Sequence, residues 1–258
     1  MKILTLFKAV FKREWLEWKR YPFNLVSAFI TLYILFLLIF LGYSKYAAHG
    51  PKFGERLDGL VVGFTLWMLT MTAMSTLSGE LLQEARYGTL EQLYMTPMGF
   101  GLLCIFRIIS SFILNLIFVC AILIVMMLTT QRFLHIDILS LAPLLILSIM
   151  SVYGVGFFVG GLALVFKQVQ SFLGIIQFAF IGFIAAPVDK IPILKALPLA
   201  LGANLISKVM IKSLSISQFN ITDILLLIIN GFGYFLLGFY TFNFLLRVAR
   251  QRGLLGHY

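Results

Sequence analysis

Apolar residues recur along this chain in six long runs separated by short polar stretches: Phe23–Ser44, Gly59–Gly79, Ile108–Thr130, Ser140–Phe166, Ser171–Pro187 and Asp223–Leu246. Roughly 17–25 residues in helical form cross the ~30 Å hydrocarbon core of a bilayer, and each run reaches that length. A backbone in lipid must satisfy its own hydrogen bonds, so runs of this kind are helices rather than open strands. The pattern predicts an all-α integral membrane protein with six transmembrane helices, forming one domain over residues 1–258. The first run is too long for a signal peptide, and its charged lead-in of about twenty residues is also too long.

That lead-in, residues 2–21, has helical periodicity of its own. At 100° per residue Ile3, Leu4, Phe7, Val10, Phe11, Trp15, Trp18 and Tyr21 share one face. Lys2, Lys8, Lys12, Arg13, Lys19 and Arg20 share the other. A basic amphipathic helix with Trp anchors lies flat at a membrane interface. Glu14 breaks the pattern by projecting from the apolar face, where it either snorkels or pairs with a nearby Lys, or else meets a partner.

Charge then sets the orientation. Lys and Arg number 20 and Asp and Glu 10, a net charge of +10. The basic residues flank the apolar runs, where they face anionic headgroups. A nucleic-acid footprint would need a basic face on a water-soluble fold, and none is expected. With both termini in the cytoplasm, the inner segments carry twelve basic residues and the outer ones eight. The chain is therefore expected in the cytoplasmic membrane, in contact with its lipids, with both termini on the cytoplasmic side. Composition agrees with the membrane class: 61% of residues are hydrophobic and 12% charged, about half the usual charged share of a soluble domain.

Chemistry-bearing residues are sparse. Cys104 and Cys120 suggest no disulfide framework and read as small hydrophobes. His49, His135 and His257 are scattered, which argues against a metal site. No Gly-x-x-x-x-Gly-Lys-[Ser/Thr] phosphate loop occurs, so an energy source would be another chain or an ion gradient. Gradient-driven transporters place charges within the membrane, and the interiors of the six runs carry none. Asn115, Gln177, Asn230 and Asn243 supply weak polarity of the kind that hydrogen-bonds helices together. Gly156-x-x-x-Gly160 suggests close helix packing. A secondary transporter or channel is the alternative class. A membrane enzyme would need a carboxylate, metal or nucleophile cluster that is not evident.

The most informative stretch lies between the second and third runs, residues 84–97. Gly88 breaks the preceding helix, and Thr89 with Gln92 three residues on forms a capping box. Glu91 suits the new helix's N-terminal dipole, and Pro97 ends the element. The result is a helix of two turns, Leu90–Thr96, too short to be stable alone in water. It needs a surface to dock on.

The run Glu84-x-Arg86-x-Gly88-Thr89-Leu90-Glu91-Gln92-Leu93-x-x-Thr96-Pro97 resembles the cytoplasmic loop of ABC type-2 export permeases. A second stretch, from Gly182 through Pro187 and Pro192 to Leu205, resembles that family's exit from the fifth span into a re-entrant outer hairpin, here residues 188–222. Where the family usually has Asn-Pro, this chain reads Gly202-Ala203-Asn204-Leu205. The segment Ile191–Lys212, with Lys195, Lys208 and Lys212, reads either as such a hairpin closing the exit or as an interfacial helix pair. The resemblance implies a permease subunit without an ATPase site. Two such subunits pair, as a homodimer or with a similar chain, and each receives an ABC ATP-binding subunit holding the ATP and magnesium. Leu90–Thr96 would be the coupling helix that the ATPase grips, carrying ATP-driven closure into export.

Overall fold

The computed structural model describes residues 2–47, 53–86, 100–166 and 169–251. Among them are eight α-helices and no strands. They are α1 (Lys2–Arg20), α2 (Pro22–Ala47), α3 (Phe53–Arg86), α4 (Phe100–Thr130), α5 (Ile138–Phe166), α6 (Gln170–Ile184), α7 (Ala200–Lys212) and α8 (Ile221–Gln251). Short 3-10 turns at Pro192–Ala196 and Ile216–Gln218 flank α7.

Five helices contain stretches long and apolar enough to cross a membrane: Pro22–Lys45, Leu57–Thr76, Gly101–Thr130, Ile138–Phe166 and Ile221–Ala249. The fifth run of the sequence forms α6, which has only 15 helical residues. At 1.5 Å per residue that is about 22 Å, short of a ~30 Å hydrocarbon core. The other helices outrun the apolar runs that predict them. The 34 residues of α3 extend about 51 Å, because residues 53–58 and 80–86 continue the helix beyond both ends of its apolar run.

The most extensive contact in the bundle is between α5 and α8. Phe157 of α5 is fully buried there, ringed by Phe235, Phe239 and Phe242 of α8 at centroid separations of 5.4–5.6 Å. Backbone meets backbone at two places along this crossing, one where a Cβ on Gly231 would meet the Leu147 carbonyl and the other between Gly154 and Gly238. A Cβ on Gly238 would collide with the carbonyl of Gly154, and a Cβ on Gly154 with the backbone of Tyr234 and Phe235. The close approach thus uses Gly154, whereas Gly156 meets the Cα of Met74 on α3 at an ordinary 3.9 Å.

Helix α3 packs on α5, α4 and α6 and supplies the centre of the core, with Val61, Val62, Thr70 and Met74 fully buried. By contrast, α2 makes only sparse contacts, shared among α3, α1 and α4.

The two ends of the bundle differ. At one, α1 lies across the start of α4, Phe7 meeting Phe106 at 5.6 Å and Trp18 meeting Phe118 at 6.1 Å. Val10 and Glu14 are buried on the same side of α1. Only part of the expected apolar face docks in this way: Ile3, Leu4, Trp15 and Tyr21 stay exposed.

The opposite end carries α7 and its flanking turns, packed on α5, α3 and α6. Leu199, at the N-cap of α7, is left-handed with φ 68°, a conformation a branched aliphatic side chain disfavours. Its N–H donates to Ser151 Oγ at 3.0 Å and its side chain is buried, and both contacts offset that strain. Asp137 caps α5 by accepting from the Leu139 N–H and the Ser140 hydroxyl. Ser140 Oγ in turn accepts from the Ile216 N–H at 3.0 Å, pinning the second turn to the start of α5.

Candidate functional site

The polar end of α3 immediately precedes the Gly88–Pro97 segment in the sequence. Residues Gly88, Thr89, Leu90, Glu91, Gln92, Leu93 and Pro97 lie outside the described residues; Glu84 and Arg86 close α3. Glu84 sits where three helices converge. Its Oε1 accepts from Arg107 Nη2 of α4 at 3.1 Å and lies 3.5 Å from Arg13 Nη2 of α1. The Arg107 side chain is 6% exposed, the Glu84 side chain 15% and the Arg13 side chain 47%. The first pair is therefore a buried link and the second a rim contact.

Glu14 joins this cluster from the docked face of α1. Burial pushes its carboxyl above the usual carboxylate range; Glu17 pushes the same way, and Arg13 and Arg107 pull against it. Glu14 thus neither snorkels nor pairs with a Lys, as the sequence suggests, but faces the arginines that hold Glu84. Above the cluster, Thr76 of α3 and Ser111 of α4 share a hydrogen bond of 3.0 Å, and Asn115 donates to Ser111 at 3.0 Å. The ladder joins α3 to α4 for a further two turns.

The other expected site residues gather at the opposite end. The Pro187 carbonyl accepts from the N–H groups of Lys190 and Ile191 at 3.0 and 3.1 Å, closing a turn that Pro192 follows as the first residue of a 3-10 segment. Asn204 of α7 donates to Asp189 Oδ2 at 3.2 Å, and Lys208 donates to Asp189 Oδ1 at 2.8 Å. The Lys208 hydrogen bond holds the Asp189 carboxyl below its usual range. Lys195 bonds Asp223 Oδ1 at 2.6 Å, and Asn230 of α8 donates to the carbonyls of Lys195 and Leu197 at 3.0 and 3.1 Å. Asn230 therefore ties separate elements together, while Asn243 bonds back to Phe239 of its own helix.

Sequence reasoning singled out Glu84 but missed Arg107, Arg13 and the hairpin carboxylates Asp189 and Asp223. The one available signal was Glu14, a charge on an apolar face.

Among the described residues, no group of three or more metal-ligating side chains comes together. What the cluster offers is mechanical: it joins three helices at the root of the segment expected to grip a partner.

A bundle with five membrane-length helices and a polar helix junction at one end defines a multi-pass membrane protein. A family model described as ABC-2 type transporter matches residues 5–211, most of the chain and everything from α1 to nearly the end of α7. The chain belongs to the ABC-2 type transporter family and is a membrane permease of that family, not itself the ATPase. Such permeases work with an ABC ATP-binding partner. Comparison with curated proteins finds no match.

Proposed function

We propose that this chain is the membrane-spanning subunit of an ATP-driven exporter and that Leu90–Thr96, within the segment 84–97, is its coupling helix. The carrying observation is the junction at Glu84. The helix that leads into the segment is fastened to α4 through Arg107 and to α1 through Arg13. A push on the segment by a separate ATPase would move three helices together rather than bend one loop. ATP and magnesium belong to that partner. A second permease copy would complete the transporter as a homodimer.

In this reading α6 is a sixth crossing and both termini are cytoplasmic. Ala185 keeps helical backbone angles at the end of α6, so the helical path is about 24 Å and reaches across most of the hydrocarbon core.

Co-expression with the cognate ATPase and a transport assay in vesicles test the coupling role. Leu90→Asp puts a charge on the docking face and should abolish ATP-dependent export while leaving membrane insertion intact. Unchanged export in that variant would remove the assignment.

A further inference from the structure

An open groove of about 400 Å³ runs between α1, α2, α3 and α4, beside the docked interfacial helix. Glu17, Trp18 and Tyr21 line it at the α1 end, and the amides of Asn24 and Asn115 add polar groups to its lining. Beyond these, Leu25, Leu32 and Phe118 give it an apolar inner wall. The residues that line it include a carboxylate, two amides and three aromatic rings, and no cation.

Glu17 makes no ion pair among the described residues. The amide nitrogen of Asn115 is spent on Ser111, which leaves its oxygen as an acceptor. Acceptors and aromatic faces around one carboxylate suit an ammonium group, which carries donors and attracts ring faces. On the other side of Glu17 and Tyr21 lies a second hollow, lined by Lys12, Arg13 and Arg20. Holders of a cation and of an anion thus lie side by side. A zwitterionic headgroup carries that same pair of charges.

Depth fits a lipid as well. From Tyr21 to Leu32 the α2 wall descends about 16 Å at 1.5 Å per residue, from a Tyr and Trp belt of the kind found at headgroup level into apolar sequence. We propose that this groove is a binding site for a membrane phospholipid with an ammonium headgroup. The ammonium sits on Glu17 against Trp18, the phosphate faces the neighbouring basic hollow, and one acyl chain lies along Leu25, Leu32 and Phe118. A bound lipid would wedge α1 against the membrane helices beside the Glu84 junction. The site stands on the membrane class of the chain and not on the coupling assignment.

Trp18 is a built-in reporter. The full-length chain carrying Trp15→Phe and Trp67→Phe, leaving Trp18 as its one tryptophan, is reconstituted into vesicles. These contain brominated-chain phosphatidylethanolamine or, at equal mole fraction, brominated-chain phosphatidylglycerol. Trp18 fluorescence should be quenched with about fivefold higher apparent affinity by the ethanolamine lipid, a difference of ~1 kcal/mol for a partly exposed charge contact. Glu17→Gln should erase that preference while the helical circular dichroism stays the same. Should the double Phe background fail to insert, the difference in quenching between the native chain and Trp18→Phe reads the same quantity. Equal quenching by the two lipids, or a preference that survives Glu17→Gln, overturns the site. A preference shown only by a soluble single-chain alkylammonium, and not by the phospholipid, overturns its assignment to a membrane lipid.

Discussion

Arg107 and Arg13 touch the same carboxylate oxygen of Glu84, yet their contributions should differ sharply. Arg107 is nearly enclosed, and truncating the buried partner of an ion pair costs up to about 3–5 kcal/mol, which the half-exposed Arg13 offsets only in part. Arg13 is half in solvent, where an ion pair is worth about 0–1 kcal/mol. Arg107→Gln should therefore lower the thermal midpoint of the purified chain clearly, and Arg13→Gln scarcely at all; equal shifts would show that the junction is not built as described. Glu14 makes the same junction responsive to pH. Its raised value means that docked α1 binds the proton more tightly than undocked α1. Docking is then strongest below the ordinary carboxylate value and weakens as pH rises through the raised one. Asp189 has the opposite sign, because its lowered value makes the tie to Lys208 present above the ordinary carboxylate value and lost as pH falls. With the intrinsic pH dependence of exchange divided out, acidification should raise amide protection in α1 while lowering it around the Asp189 turn, and Glu14→Gln should flatten the α1 profile alone. None of these partnerships was legible in the sequence beyond Glu14 itself. Glu84 and Arg107 belong to different helices, and the 3.6-residue period that reveals a helix face says nothing about which helix it meets.

At the scale of elements, periodicity and run length were informative where lipid dictates the answer and silent elsewhere. Each of the six apolar runs coincides with a helix, because a buried backbone has no other way to bond itself. The polar extension of α3 was missed, since nothing apolar marks it, and so was the apolar start of α4, residues 100–107, which lies ahead of the run that begins at Ile108. The left-handed caps of α7 were missed too, because Leu199 and Ser213 adopt positive φ without being glycine. The α5–α8 crossing shows the same limit. A Gly-x-x-x-Gly pattern drew attention to Gly156, but the contact belongs to Gly154 and Gly238, chosen by the register between two helices that are distant in sequence. Gly238→Ala should force the helices apart, at a cost of about 1–3 kcal/mol for overpacking, and should lower the yield of folded protein in detergent. Gly233→Ala, on the same helix with no atom near its would-be Cβ, should be neutral or stabilise by up to ~1 kcal/mol through helix propensity. A loss in Gly233→Ala as large as that in Gly238→Ala would mean the α5–α8 crossing lies elsewhere.

For the molecule as a whole, the decisive question is how many times the chain crosses, and the two ends of the bundle constrain the answer. The hairpin end holds the start of α5, because the His135 N–H donates to the Met210 carbonyl at 2.9 Å and the Ile216 N–H to Ser140. The same end holds the close of α6, because Ile184 lies 3.7 Å from a would-be Cβ of Gly63 on α3. Helix α6 follows α5, whose Gly161 packs on Leu245 and Phe242 near the far end of α8. In the proposed six-span reading, α6 carries the connection back across the thickness of the bundle. Six crossings put α1 and the end of α8 on one side and the Asp189 turn on the other. Single cysteines introduced as Lys8→Cys, Lys190→Cys and Gln251→Cys, in a chain carrying Cys104→Ala and Cys120→Ala, report this directly. A membrane-impermeant maleimide should label position 190 in intact cells, and positions 8 and 251 only after permeabilisation. Labelling of 251 with protection of 190 would mean that α6 turns back within the bilayer. The two termini would then lie on opposite sides, and an ATPase bound at the α1 end would no longer share a compartment with the end of α8.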